Sequence, residues 1–185
     1  MTLLIAGLGL WYVSHLLKRL VPGLRAGLGE ARGKMLVTVL SLVAVVAMIL
    51  GYRDAPIEPV YAPLPGIGHL NNLLMLVALI LFSVSHSKGR LRAAIRHPML
   101  WGTVLWAVAH LLVNGDAASL VLFGGIGVWA MASMVLISLQ EPWVRRAPGP
   151  LRSDVIAVVA GVVAYAVVAG IHVWLGYNPF LGTYA

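Results

Sequence analysis

Six histidines and no cysteine bound the chemistry open to this chain of 185 residues. Without thiols there is no disulfide, zinc-thiolate or iron–sulfur chemistry, so the imidazoles are the metal-capable groups. They are His15, His69, His86, His97, His110 and His172. His110 stands out because of its surroundings: Arg96 to Asp116 reads RHPMLWGTVLWAVAHLLVNGD, an apolar segment of membrane length. An unpaired imidazole in lipid costs on the order of several kcal/mol, so a hydrogen bond, a water-filled pocket or a metal must offset it. Trp106, His110 and Asn114 recur at i, i+4 and i+8, with Thr103 one turn earlier, and so form one helical stripe. His69, Asn72, Ser83 and His86 form a second stripe, and Tyr165, Ala169 and His172 a third. Three polar stripes predict a common interior.

The elements that must carry these stripes are membrane helices. The chain is 61% hydrophobic and 10% charged, outside the usage of soluble domains. Six helical segments are expected at about 2–20, 35–52, 69–87, 98–114, 117–139 and 154–175, each close to bilayer length. The first reads as a membrane span and not as a secretory signal, because its charges follow the apolar run. The expected fold is all-α: one six-helix transmembrane domain over 1–185.

The net charge of +7 maps onto topology. Every Lys and Arg except Arg53 falls after span 1, between spans 3 and 4, or between spans 5 and 6. The positive-inside rule then places these loops in the cytoplasm and both termini outside. The cations serve orientation and headgroup contact, so no nucleic-acid partner is expected. The segment 52–68 holds Pro56, Pro59, Pro63 and Pro65 and is expected to be extended. Pro22 and Gly23 should stop span 1, Asn114-Gly115-Asp116 should make a tight hairpin, and Asp116 suits the N-cap of span 5. Gly124, Gly125 and Gly127 read as close helix packing before any flat-ligand role.

Depth sorts the histidines into two layers. His15, His86 and His97 lie toward the cytoplasmic ends of their spans, and His69, His110 and His172 toward the outer ends. His97 and His110 are about 20 Å apart along one helix and cannot share a metal. His69 and His172 read as hydrated or capping imidazoles, His86 as interfacial, and His15 as one that Ser14 could satisfy locally. His110 is the residue assigned to function.

The pattern RHPMLxG…WAxAHLLxNGD, with the following SLVLFGG, resembles the NnrU family of bacterial membrane proteins, which includes the plant zeta-carotene isomerase. His15-Leu16-Leu17, Pro22-Gly23-Leu24-Arg25 and Gly51-Tyr52 are similar to that family too, over roughly residues 10 to 140. The resemblance implies a helical membrane protein that holds haem b through two histidines, linked in bacteria to nitrite and nitric oxide metabolism (denitrification). The proposed axial ligands of the plant enzyme align with His15 and His110, and its redox-linked cysteine aligns with Ala107, so that thiol is missing here. By depth alone His69 matches His110 better than His15 does, and both compete for the second position. Arg25, Arg96 and His97 are candidates for the propionates, with Trp106 and Asn114 beside the ligand.

Three functions compete. The first is a haem-binding redox, sensing or isomerase-like protein acting with a lipophilic small molecule or a respiratory-chain partner. The second is a membrane methyltransferase of the isoprenylcysteine type, which Arg96-His97-Pro98 resembles. That type uses S-adenosylmethionine, which its Arg-His region helps to bind, and also carries a later paired-acid motif, whereas this chain offers only Glu141 before Pro142. The third is a non-catalytic assembly factor for a respiratory complex.

Overall fold

The computed structural model describes residues 1–181, apart from the Arg25 side chain. Its helices are α1 (Thr2–Leu20), α2 (Pro22–Gly27), α3 (Glu30–Arg53), α4 (Gly68–His86), α5 (Arg90–Ala94), α6 (Pro98–Val113), α7 (Ala117–Gln140) and α8 (Leu151–Trp174). Among the described residues the only β-pairing is the isolated bridge between Pro59 and Asp116. Five helices (α1, α3, α4, α7 and α8) are long and apolar enough to cross a bilayer. The expected fourth span is shorter: α6 has 16 residues, about 24 Å of helix.

Helix packing explains why small residues recur. α1 lies on α3, α4 lies between α6 and α8, and α6 packs on α7. A Cβ on Gly7 would come within 2.8 Å of the Met48 backbone nitrogen, and one on Gly51 would strike the Leu4 backbone. A Cβ on Gly161 would sit 2.6 Å from the Ile80 Cα. Apolar side chains gain little by leaving lipid for one another, so close backbone approach supplies the dispersion contact that holds such helices together.

All the basic loops gather at one end of the bundle. Arg19 at the end of α1 pairs with Glu141 just after α7 at 2.6 Å. Asp154 in the first turn of α8 accepts from the Arg90 and Leu91 amides at 2.9 and 3.0 Å, and so caps α5 from another helix. At the opposite end the proline-rich loop is extended, as its composition predicts. Val60 N and Tyr61 N donate to the Gly115 carbonyl at 2.7 and 3.0 Å, and Ala117 N donates to the Glu58 carbonyl. The Tyr61 hydroxyl donates to the Asn114 and Leu111 carbonyls. α6 therefore starts at the basic end and finishes at the opposite one.

Span 1 stops before Pro22 as expected, and the loop beyond it carries more helix than the apolar runs mark. The segment after α1 is largely helical: Pro22 closes α1 but also opens α2, where its missing N–H costs nothing. α3 then begins at Glu30, five residues before the expected 35, after Gly29 turns the chain at φ 72°. Charged residues can extend a helix beyond the apolar zone, and hydropathy alone does not register that extension. The Asp116 cap forms as expected, accepting from Ser119 N at 2.9 Å.

Candidate functional site

The stripe on α6 forms as its spacing predicts. His110 Nδ1 lies 2.8 Å from the Trp106 carbonyl and the Asn114 amide donates to the His110 carbonyl at 2.8 Å. A carbonyl can only accept, so Nδ1 carries the proton and the neutral ring has its lone pair on Nε2. That is the tautomer a metal-binding imidazole adopts when its other nitrogen is anchored. Thr103 turns its hydroxyl back onto the Met99 carbonyl at 3.1 Å and adds nothing to the interior.

α7 supplies the neighbour that the sequence reading missed. Phe123 stacks on His110 with ring centres 4.5 Å apart, meets Trp106 edge-on at 5.0 Å, and meets Tyr52 at 6.1 Å. It sits in a π-helical segment, Leu120–Gly124, inside a span expected to be regular helix. Such bulges loosen the backbone ladder. Here the Tyr12 hydroxyl donates to the Gly125 carbonyl at 2.6 Å, next to the bulge. The run Gly124, Gly125, Gly127 is the sequence signal nearest this feature. Its packing reading stands in part, since a Cβ on Gly125 would strike the Leu8 side chain and one on Gly127 lies 3.1 Å from Ala107 Cβ.

A polar chain runs beside this unit. The Ser119 hydroxyl donates to Asp116 Oδ2 at 2.6 Å, so it accepts from the Tyr52 hydroxyl at 2.9 Å. His172 has its Nδ1 on the Val168 carbonyl at 2.8 Å and lies within electrostatic range of His110. His69 is exposed at the end of α4 and makes no ring contact with His110, and His86 is exposed at the other end of the same helix.

His15 belongs to a second aromatic unit. Its ring stacks on Trp11 at 3.9 Å and meets Trp129 edge-on at 5.1 Å. Its Nδ1 is 2.9 Å from the Ser14 hydroxyl, the local partner expected from the sequence, and 3.0 Å from the Trp11 carbonyl, which the buried Ser14 hydroxyl also reaches at 2.9 Å. The indole nitrogens of Trp11 and Trp129 are buried without a hydrogen-bond partner. His15 and His110 thus face different residues of α7, Trp129 and Phe123, which are about 9 Å apart along a helix. Among the described residues no direct ring contact joins the two imidazoles.

At the basic end, the propionate candidates Arg96 and His97 line a polar cavity of about 400 Å³. Arg96 Nη2 donates to the Glu141 carbonyl at 2.5 Å, and His97 Nε2 is 3.2 Å from the Ser138 hydroxyl. Burial and the charges of Arg96 and Arg92 push the His97 imidazole below its usual range. The Arg25 side chain lies outside the described residues. A second cavity of about 400 Å³, almost wholly apolar, lies under Tyr61 and Leu64 against Val108, Leu111 and Leu112. Among the described residues no three His, Asp or Glu side chains cluster as a metal site would require.

A protein-family model described as "NnrU protein" matches residues 3–179. Neither the curated proteins nor the solved structures compared with the chain include a match.

Proposed function

The chain belongs to the NnrU family, and from that premise we propose that it is a six-pass inner-membrane protein, both termini outside, that holds haem b on His110 for a redox or sensing role. The observation that carries this reading is the His110 imidazole on an apolar helix, its Nδ1 fixed on the Trp106 carbonyl and its ring against Phe123. The donor chemistry would suit a residue that holds the haem iron, because Nε2 keeps its lone pair. His15 Nδ1 is engaged by the Ser14 hydroxyl and the Trp11 carbonyl, which leaves its Nε2 chemically suited as well. Its ring contacts are with other residues than those around His110, which favours His110 as the residue that would hold the group, and the exposure of His69 removes support from that residue. When bound, haem supplies a one-electron centre whose potential the imidazole, the burial and the neighbouring rings would set.

The protein's own contribution is to orient His110, to surround it with Trp106 and Phe123, and to keep water out. The apolar cavity on the adjacent face of α6 suits a lipophilic small molecule. The link to nitrogen-oxide metabolism rests on the family resemblance. The methyltransferase reading finds less support: Arg96, His97 and Glu141 do share a cavity, but its arginines would repel a sulfonium donor.

Absorption spectra of the purified protein, oxidised and dithionite-reduced, test the proposal. A Soret band that His110→Ala removes and His69→Ala leaves unchanged is expected. A low-spin bis-imidazole spectrum that His15→Ala converts to high spin would replace single ligation by the His15–His110 pair. No Soret band after expression with ample haem supply would overturn haem binding and leave the assembly-factor reading.

A further inference from the structure

The cavity at the basic end brings together more positive charge than its own residues neutralise. Arg19, Arg92, Arg96 and Arg146 line it with His97, against one carboxylate, Glu141. That carboxylate is engaged, since its Oε1 is 2.6 Å from Arg19 Nη1. Arg96 spends its Nη2 on the Glu141 and Ile137 carbonyls at 2.5 and 3.4 Å. Arg92 Nη1 reaches the Ile95 carbonyl at 3.3 Å, while its Nε is buried with no partner. Burial, and then the charge of Arg146, lower the Arg92 pKa from its usual range.

Like charges held together in a concave site are costly unless an anion joins them. Two features of the fold keep these groups in place. Asp154, only 5% exposed, caps α5 and so fixes Arg92 over the cavity. Gly89 permits that contact, because a Cβ there would strike the Asp154 carboxylate. The interior wall is supplied by Ile137 and Pro142.

We propose that Arg92, Arg96, His97 and Arg146 form a binding site for a phosphate-bearing anion at the basic end of the bundle. Guanidinium groups suit this ligand because their paired N–H donors match phosphate oxygens. The Arg92 Nε–H supplies a donor the protein itself does not satisfy. His97 adds a further donor when protonated, which a bound dianion would promote. The site lies about 20 Å along α6 from His110, so it stands or falls independently of haem binding.

The test uses the full chain purified in detergent. Binding of phosphatidylglycerol and phosphatidylcholine is followed by native mass spectrometry, and binding of inorganic pyrophosphate by calorimetry. We expect the wild type to bind at least one phosphate probe, with phosphatidylglycerol preferred over the zwitterionic lipid if the source is a headgroup. Arg92→Gln with Arg146→Gln should weaken that binding about ten-fold or more, as loss of about 1.4 kcal/mol of charge-assisted bonding would. Arg32→Gln with Lys34→Gln removes the same charge at the same end and should change it less than two-fold. Pyrophosphate binding identifies a soluble phosphate, and phosphatidylglycerol binding without it identifies a lipid headgroup. Equal loss in the two double variants, or no binding of either phosphate probe by the wild type, overturns the site. If the first pair fails to fold, Arg146→Gln alone serves, since that side chain is exposed.

Discussion

At the scale of the residue, the interior is organised by which atoms are already committed. Ser119 has its hydroxyl proton on Asp116, so it is the acceptor that the Tyr52 hydroxyl relies on. Ser119→Ala should therefore destabilise the protein by about 1–3 kcal/mol, the cost of orphaning a buried hydroxyl. Tyr52→Phe in the same chain should recover part of that loss, because no donor is then stranded, and a double-mutant cycle on thermal unfolding measures it. His97 behaves differently because its environment disfavours the charged ring. Its folded pKa lies below the unfolded value of about 6.5, so its neutral form contributes stability above that pH. That contribution is lost as the pH falls through the folded pKa, where protonation favours the unfolded chain. Unfolding midpoints at neutral and mildly acid pH should accordingly drop more for the wild type than for His97→Asn. The histidine stripe on α6 was legible because spacing alone places Trp106, His110 and Asn114 on one face. The ring that covers His110 was not, because Phe123 is distant in sequence and comes from a π-helical turn.

At the scale of the element, glycine position decides which helices touch. Gly161 faces the backbone of α4 at Ile80, whereas nothing lies within 4 Å of a Cβ placed on Gly170 of the same helix. Gly161→Ala should cost about 1–3 kcal/mol through forced separation of α4 and α8. Gly170→Ala should be neutral or mildly stabilising, by up to about 1 kcal/mol, since alanine is the better helix former. Thermal midpoints in one detergent compare the two directly. α5 depends on a different device. With five residues it is too short to persist alone, and its first amides are held by Asp154 from α8. Asp154→Ala should destabilise by about 2 kcal/mol, and hydrogen exchange should show the Arg90 and Leu91 amides losing protection. The sequence reading placed an acidic residue at the Asp116 cap correctly because cap and helix are adjacent. It had no means to see Asp154 as the cap of a helix more than sixty residues away.

At the scale of the whole molecule, charge and apolarity act on different features. The basic residues other than Arg53 share one end of the bundle, as their distribution predicts, and Arg19–Glu141 and Asp154–Arg90 tie that end together. The proposed orientation is testable on a chain that has no cysteine of its own. Ile57→Cys in the proline-rich loop should react with an impermeant maleimide in intact spheroplasts, and Arg145→Cys only after permeabilisation. The reverse pattern would invert the topology, and labelling of both in intact cells would show that the six-pass arrangement fails. By itself the sequence determined the membrane class, the approximate positions of the six main helices though not of the short α2 and α5, the gathering of positive charge and the α6 stripe. Those are consequences of local hydropathy, spacing and composition, which neighbours in the chain suffice to express. Only the tertiary structure decided that His15 and His110 occupy separate aromatic units, that His69 stands exposed, and that four arginines converge on one cavity. Each of these depends on which helix lies against which, and at what depth. Packing of small residues and caps supplied by remote helices set that relation, and no single segment encodes it.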